Sequence, residues 1–284
     1  MTLNYERILA HRPGPLDASY DEHTCILYAL GIGIGMDPTD ATQIKFVHER
    51  ELVAFPTMAS VLGWPGRFTD PEFGVDTRMV VAASLKVVLH RPLRVRDTLT
   101  SDPRVVEIVD RGPGKHAIIQ SARTLFAADG TPVATVENTS LARGHGGFGG
   151  RVTDVPEPRP TPERAPDAIC DLPTPPNLAL IFRLLGDENP LHVDPEGAKK
   201  SGFPRPILHG QAIFGVAAHA LLRTCADCDP ARLASIEARF SRPVFPGETI
   251  RTELWREGGE IAFRCRVPER DEVVLTHGWA RLRG

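Results

Sequence analysis

The run QAIFGVAAHALL, residues 211–222, limits the folds open to this chain more than any other stretch. It has helix length and no polar face. A helix that is apolar all round must be wrapped on every side. The segments that follow it are ASIEARFSRPVF, ETIRTELWREGG, EIAFRCRVPER and EVVLTHGWARLRG. They are rich in β-branched residues and separated by turn signals, which predicts an antiparallel meander. A curved antiparallel sheet around one buried helix satisfies both patterns, so the expected class is α+β.

The first half carries the same kind of strand pattern in RMVVAASLKVVLHRPLRV, DTLTSDPRVVEIVDRG, KHAIIQSARTLFAADG and TPVATVENTSLARG. Arg91-Pro92-Leu93 followed by Asp97-Thr98-Leu99 matches Arg242-Pro243-Val244 followed by Glu248-Thr249-Ile250 at one constant offset. Ala142-Arg143 likewise resembles Ala280-Arg281, and Leu30-Gly31 resembles Leu185-Gly186. These matches imply an internal duplication. ASYDEHTCILYALG (18–31) reads as a helix with an acidic first turn and a glycine stop. FPTMASVLGW (55–64) reads as a much shorter counterpart of the apolar helix. The expected division is an N-terminal repeat at 1–143, a Gly/Pro-rich linker at 144–173 and a C-terminal repeat at 174–284. The linker holds GHGGFGG, which lacks the Gly-Lys-Ser/Thr ending of a phosphate loop. Thr174-Pro175-Pro176 reads as the start of the next helix.

Composition excludes several classes. The net charge of −3 gives no support for nucleic-acid binding. No apolar run reaches transmembrane length and the start is unlike a signal peptide, so no membrane partner is expected. With Leu282-Arg283-Gly284 in place of Ser-Lys-Leu no peroxisomal address is expected, and the scattered cysteines argue for a cytoplasmic setting. Five scattered cysteines point to reduced thiols. Cys225 and Cys228 form a lone CxxC without the second ligand pair that zinc needs, and no metal is expected.

Chemistry concentrates just before the apolar helix, in GDENPLHVDPEGAKKSGFPRPILHG, residues 186–210. On a continuous helix Asp187 and His192 would lie roughly 140° apart, on different faces. Pro190 turns the chain between them, because it lacks an amide hydrogen and pushes Asn189 out of helical geometry. Gly210 opens the apolar helix, where unpaired amides and a partial positive charge favour an oxyanion. Two ionisable groups beside such an amide suit proton transfer next to a carbonyl oxygen that gains negative charge. Asp187 and His192 are two ionisable groups able to share one water, Asn189 can orient a group, and the Gly210 amide can receive the charge. Taken singly, each has a bland alternative: Asp187 as a helix stop, Asn189 in an Asx turn, His209 as a loop support. Lys199, Lys200 and Arg205 form a basic cluster, either a solvated face or a contact for an anionic ligand.

Gly186-Asp187-Glu188-Asn189-Pro190-Leu191-His192, followed by Pro206-Ile207-Leu208-His209-Gly210, resembles the MaoC-like, R-specific enoyl-CoA hydratase (hydratase 2) family. The resemblance extends to FSRPVFPGETI, LHRPL and RGHGGFGG. It implies a double hot-dog fold, in which two curved antiparallel sheets each wrap a long helix. It also implies syn hydration of trans-2-enoyl-CoA to the R-3-hydroxyacyl-CoA, no cofactor and a homodimer. Asp187, His192, Asn189 and Gly210 take the catalytic positions, while His209, Lys199, Lys200 and Arg205 are candidates for binding substrate. Ile32 stands where the second half has Asp187, so one active site per chain is expected. Three runs depart from the family pattern: Ala82-Ala83-Ser84 for His-Gly-Glu, Phe182-Arg183-Leu184-Leu185-Gly186 for Tyr-Arg-Leu-Ser-Gly, and His145 for the acid of RGDGGFGG. The alternatives are a hot-dog acyl-CoA thioesterase and a non-catalytic acyl-CoA binding homologue.

Overall fold

The structure, a computed structural model, describes residues 2–151 and 157–284. In the first half the strands are β1 (Leu16–Asp17), β2 (Val80–Leu89), β3 (Leu99–Asp110), β4 (Ala117–Ala127) and β5 (Pro132–Ala142). In the second half they are β6 (Ala168–Pro173), β7 (Leu233–Phe240), β8 (Thr249–Glu257), β9 (Glu260–Val267) and β10 (Glu272–Leu282). All ten join in one sheet of order β1-β3-β4-β5-β2-β7-β10-β9-β8-β6. Read inward from each edge, the halves are the same: β1-β3-β4-β5-β2 against β6-β8-β9-β10-β7. The two meet where β2 pairs antiparallel with β7, from Ser84 opposite Arg239 to Val88 opposite Ser235. This is the double hot-dog topology, with the duplication written into the strand order.

Strand β6 corrects the linker boundary. Residues 168–173, read as linker, pair with β8 from Ala168 opposite Leu254 to Pro173 opposite Thr249. The sheet borders this short strand on one side only, and Ile169 is left exposed, so its apolar signal is weak. The linker reading also covers residues 152–156, which lie outside the described residues. Nor does Thr174 start a helix: its hydroxyl donates to the Glu248 carbonyl at 2.8 Å and accepts from the Gly247 amide at 3.1 Å. The helix begins at Leu178.

The apolar run becomes the helix Gly210–Cys225, in which every residue from Ala212 to Leu222 is buried. Its counterpart in the first repeat is far shorter, the 3₁₀ turn Pro56–Ser60, all of it buried. The first repeat instead sends the end of its helix Glu22–Gly31 against the long helix. At Gly215 an added Cβ would meet Ile32 Cγ2 at 2.5 Å and the Tyr28 hydroxyl at 3.0 Å. Only glycine permits this approach between the repeats.

The Gly-rich run gathers around a protein carboxylate. Buried Asp110 accepts amide hydrogen bonds from Gly112, Gly147 and Gly149 at 2.8, 2.7 and 3.0 Å. His145 fits the same loop, donating from Nδ1 to the Arg143 carbonyl at 2.8 Å and accepting the Asp76 amide at Nε2 at 3.0 Å. All five cysteines are free thiols. Among the described residues no helix is long and apolar enough to cross a membrane.

Candidate active site

The site is built by one bent loop. Helix Leu178–Phe182 tightens into the 3₁₀ turn Arg183–Leu185 and stops at Gly186, whose φ of 110° lies in the left-handed region that favours glycine. Asp187 follows directly. Asn189 caps the next turn, Pro190–His192, by accepting the Leu191 amide at its Oδ1 at 3.2 Å. Proline at the first position and asparagine at the cap are what start such a turn. His192 thereby faces back toward Asp187. The chain then runs through the helix Pro195–Lys200 and returns at Ile207.

Two carbonyls fix both imidazoles. His192 donates from Nδ1 to the Ile207 carbonyl at 2.9 Å, since a carbonyl can only accept. Its Nε2 is left as a lone pair, 3.8 Å from Asp187 Oδ2. His209 donates from Nε2 to the Asp187 carbonyl at 3.1 Å, tying the head of the long helix to the Asp187 loop. The two rings stack at 3.7 Å with 27° between their planes, and Phe182 backs His209 at 5.0 Å. Burial lowers the His192 pKa from the ordinary histidine value; the Asp187 carboxylate opposes this, and Arg67 of the first half adds to the lowering. Burial, then His192, pulls His209 down to about 3. Both imidazoles are held neutral.

The consequence is a pair of acceptors facing each other. At 3.8 Å, His192 Nε2 and Asp187 Oδ2 are too far apart for a direct hydrogen bond. A water about 2.8 Å from each reaches both and can donate one hydrogen to each. Asp187, His192 and His209 also lie close enough to raise a metal site. The ring geometry opposes it. A metal must lie in the plane of each imidazole at about 2.0–2.1 Å, which two nearly parallel rings stacked face to face cannot both satisfy.

Gly210 is the first residue of the long helix, so its amide has no acceptor within the helix. The cap residue His209 gives it no side-chain bond. Phe240 at the end of β7 lies against Gly210, and an added Cβ would come within 3.1 Å of the ring. This glycine therefore makes room for an aromatic ring, a role its sequence neighbours do not reveal.

The remaining candidates sit outside this cluster. Lys199 and Lys200 end the helix Pro195–Lys200, exposed, with Lys199 paired to Glu196 at 3.0 Å. Arg205 is exposed and lies over the Phe245 ring at 4.5 Å. Asn189 uses its oxygen on the turn, leaving only its amide NH₂ for a ligand. Sequence reasoning passed over Gln211, whose Nε2 donates to the Ser60 carbonyl at 2.7 Å. A polar residue directly after Gly210, at the head of an apolar helix, was the available signal.

Residues 157–277 match the MaoC like domain, and residues 18–144 match the MFE-2 hydratase 2 N-terminal domain. The peroxisomal enoyl-CoA hydratase 2 of Arabidopsis thaliana is 34% identical over 300 residues, covering 99% of this chain and 96% of that one. The chain belongs to the MaoC-like hydratase 2 family. Membership makes it a hydro-lyase. Enoyl-CoA hydratase ChsH3 of Mycobacterium tuberculosis is 33% identical over 287 residues, covering 98% of each chain. A crystal structure of a MaoC-like dehydratase from Phytophthora capsici superposes with a TM-score of 0.86 at 34% identity, covering 98% of each chain. In this hydratase 2 chain the family's two matched domains correspond to the two repeats of the sheet.

Proposed function

We propose that this hydratase adds water across the C2–C3 double bond of a trans-2-enoyl-CoA, giving the R-3-hydroxyacyl-CoA, and runs the dehydration in reverse. The observation that carries the reading is the 3.8 Å gap between two acceptors, His192 Nε2 and Asp187 Oδ2. A water held there by its two hydrogens turns its oxygen lone pairs outward, toward C3 of the substrate. As the new C3–O bond forms, the π electrons move onto the thioester oxygen and one water proton passes to a member of the pair. The Gly210 amide receives the enolate charge; losing one such donor typically costs about 10²–10³ in rate. The enolate then collapses and C2 takes the proton back. Hydroxyl and proton come from one water on one face, so addition is syn. The neutral state of His192 supports this role, because a protonated Nε2 could no longer accept from the water.

Asp187 and His192 are the catalytic pair in this reading, with Gly210 as the oxyanion donor. Asn189 and His209 are positioning residues, one for the turn and one for the loop. Lys199, Lys200 and Arg205 serve, at most, the exposed end of a coenzyme A thioester. The test is hydration of crotonyl-CoA in D₂O, followed by loss of the conjugated thioester absorbance. The expected product is R at C3, with deuterium at C2 on the same face as the new hydroxyl. An S alcohol, anti addition, or release of free thiol without hydration would reject the reading.

A further inference from the structure

Arg123 lies on β4 of the first repeat and is 2% exposed. A buried charge normally has a charged partner, since desolvation costs several kcal/mol. Among the described residues none stands opposite this one; burial alone acts on it, pulling its pKa down to about 10, and it stays cationic at neutral pH. Its guanidinium instead donates from Nε to the Leu62 carbonyl at 3.0 Å, and from Nη2 to the Ala59 carbonyl at 3.4 Å and to the Ser60 carbonyl. These carbonyls close the C-terminal end of the turn Pro56–Ser60, where partial negative charge collects. The turn is too short to hold its shape unaided. A planar fork of donors fits several carbonyls at once, as a lysine does not.

The Ser60 carbonyl accepts from the other side as well, from Gln211 Nε2 at 2.7 Å. Gln211 is the residue after Gly210. One carbonyl oxygen thus receives an arginine from the first repeat's sheet and a glutamine from the first turn of the long helix. A second tie, from the Tyr28 hydroxyl to Thr57 Oγ1 at 2.9 Å, holds the other end of the turn.

We propose that Arg123 is a positioning residue of the active site, setting the Gly210 amide through the Ser60 carbonyl and the Gln211 side chain. The proposal rests on the reading of Gly210 as the oxyanion donor. On this account the turn retained by the first repeat aligns the catalytic helix of the second. Misplacement of the amide weakens the transition state more than the ground state, so the loss appears in kcat.

The experiment compares Gln211→Leu, Arg123→Met and Arg123→Lys with wild type, by crotonyl-CoA kinetics and amide hydrogen exchange. Gln211→Leu should lower kcat by ~10–100-fold, a loss of the order that small misplacements produce, with KM within about twofold. Exchange should quicken at 208–214 and stay unchanged in β9 and β10. Arg123→Met should add faster exchange at 56–63, and Arg123→Lys should recover part of kcat. Wild-type kcat together with wild-type exchange at 208–214 in Gln211→Leu would overturn the proposal, even if Arg123→Met failed to fold. If wild type itself did not hydrate crotonyl-CoA, the functional reading would fall. The exchange at 208–214 in Arg123→Met and Gln211→Leu would then still decide whether the link exists.

Discussion

The two repeats place equivalent residues in opposite surroundings. Leu30-Gly31 and Leu185-Gly186 each end a helix, yet Ile32 follows the first and Asp187 the second. Ile32 is 1% exposed and presses on Gly215 of the long helix. The Asp187 side chain is 21% exposed and faces an imidazole across a gap. The first repeat uses the position for packing. The second gives up that packing for a carboxylate and answers with a buried histidine pair and the long helix. The long helix and the acid occur together in the second repeat, where the first has the short turn Pro56–Ser60 and Ile32.

Several changes would break or sharpen this comparison. Ile32→Asp should have the largest effect on stability. It buries a carboxylate against an apolar helix, and urea unfolding should show a loss of more than about 3 kcal/mol with no new activity. A gain of hydratase rate with Asp187 also replaced would show the repeats to be interchangeable. Gly215→Ala comes next. Alanine favours helix by about 1 kcal/mol, but the Cβ would overlap Ile32 at 2.5 Å. Overpacking should win, for a net loss of about 1–3 kcal/mol in a urea titration. A stabilised variant would show that the repeats are not in close contact there.

Acid should act through the buried histidines. His209 is held down to about 3 and His219 to about 4, both chiefly by burial. In the unfolded chain each titrates near 6.5, so below that pH the unfolded state binds more protons. Their contribution is intact above pH ~6.5 and falls away as the pH drops toward about 4. His219→Met should therefore shrink the fall in urea midpoint between pH 7 and pH 4.5. An unchanged fall would place the acid sensitivity elsewhere. The smallest effect is expected from Lys199→Glu with Lys200→Glu, exposed and beyond the loop that carries Asp187 and His192. The KM for crotonyl-CoA should rise a few-fold at low salt with kcat unchanged. No change at all would make these lysines a solvated face.

Much of this was legible because it is local. The β-branched runs and turn signals placed eight of the strands, and the apolar run 211–222 required a wrapped helix. The bend between Asp187 and His192 was legible from Pro190, and the Asn189 cap completes it. What sequence could not show depends on distant partners. The continuous sheet is made by β2 against β7, whose residues lie far apart in the chain. Strand β6 exists because β8 offers it an edge. The stacking of His192 on His209, and the role of Arg123, appear only when separate loops are brought together. An arginine in a strand reads as solvent-facing until its carbonyl partners are seen.

The most direct measurement is the rate of crotonyl-CoA hydration by Asp187→Asn and His192→Gln, each checked by urea unfolding against wild type. Each should lose about 10²–10⁴-fold in kcat while its urea midpoint stays close to wild type. A folded variant of either kind that turns over at the wild-type rate would contradict this.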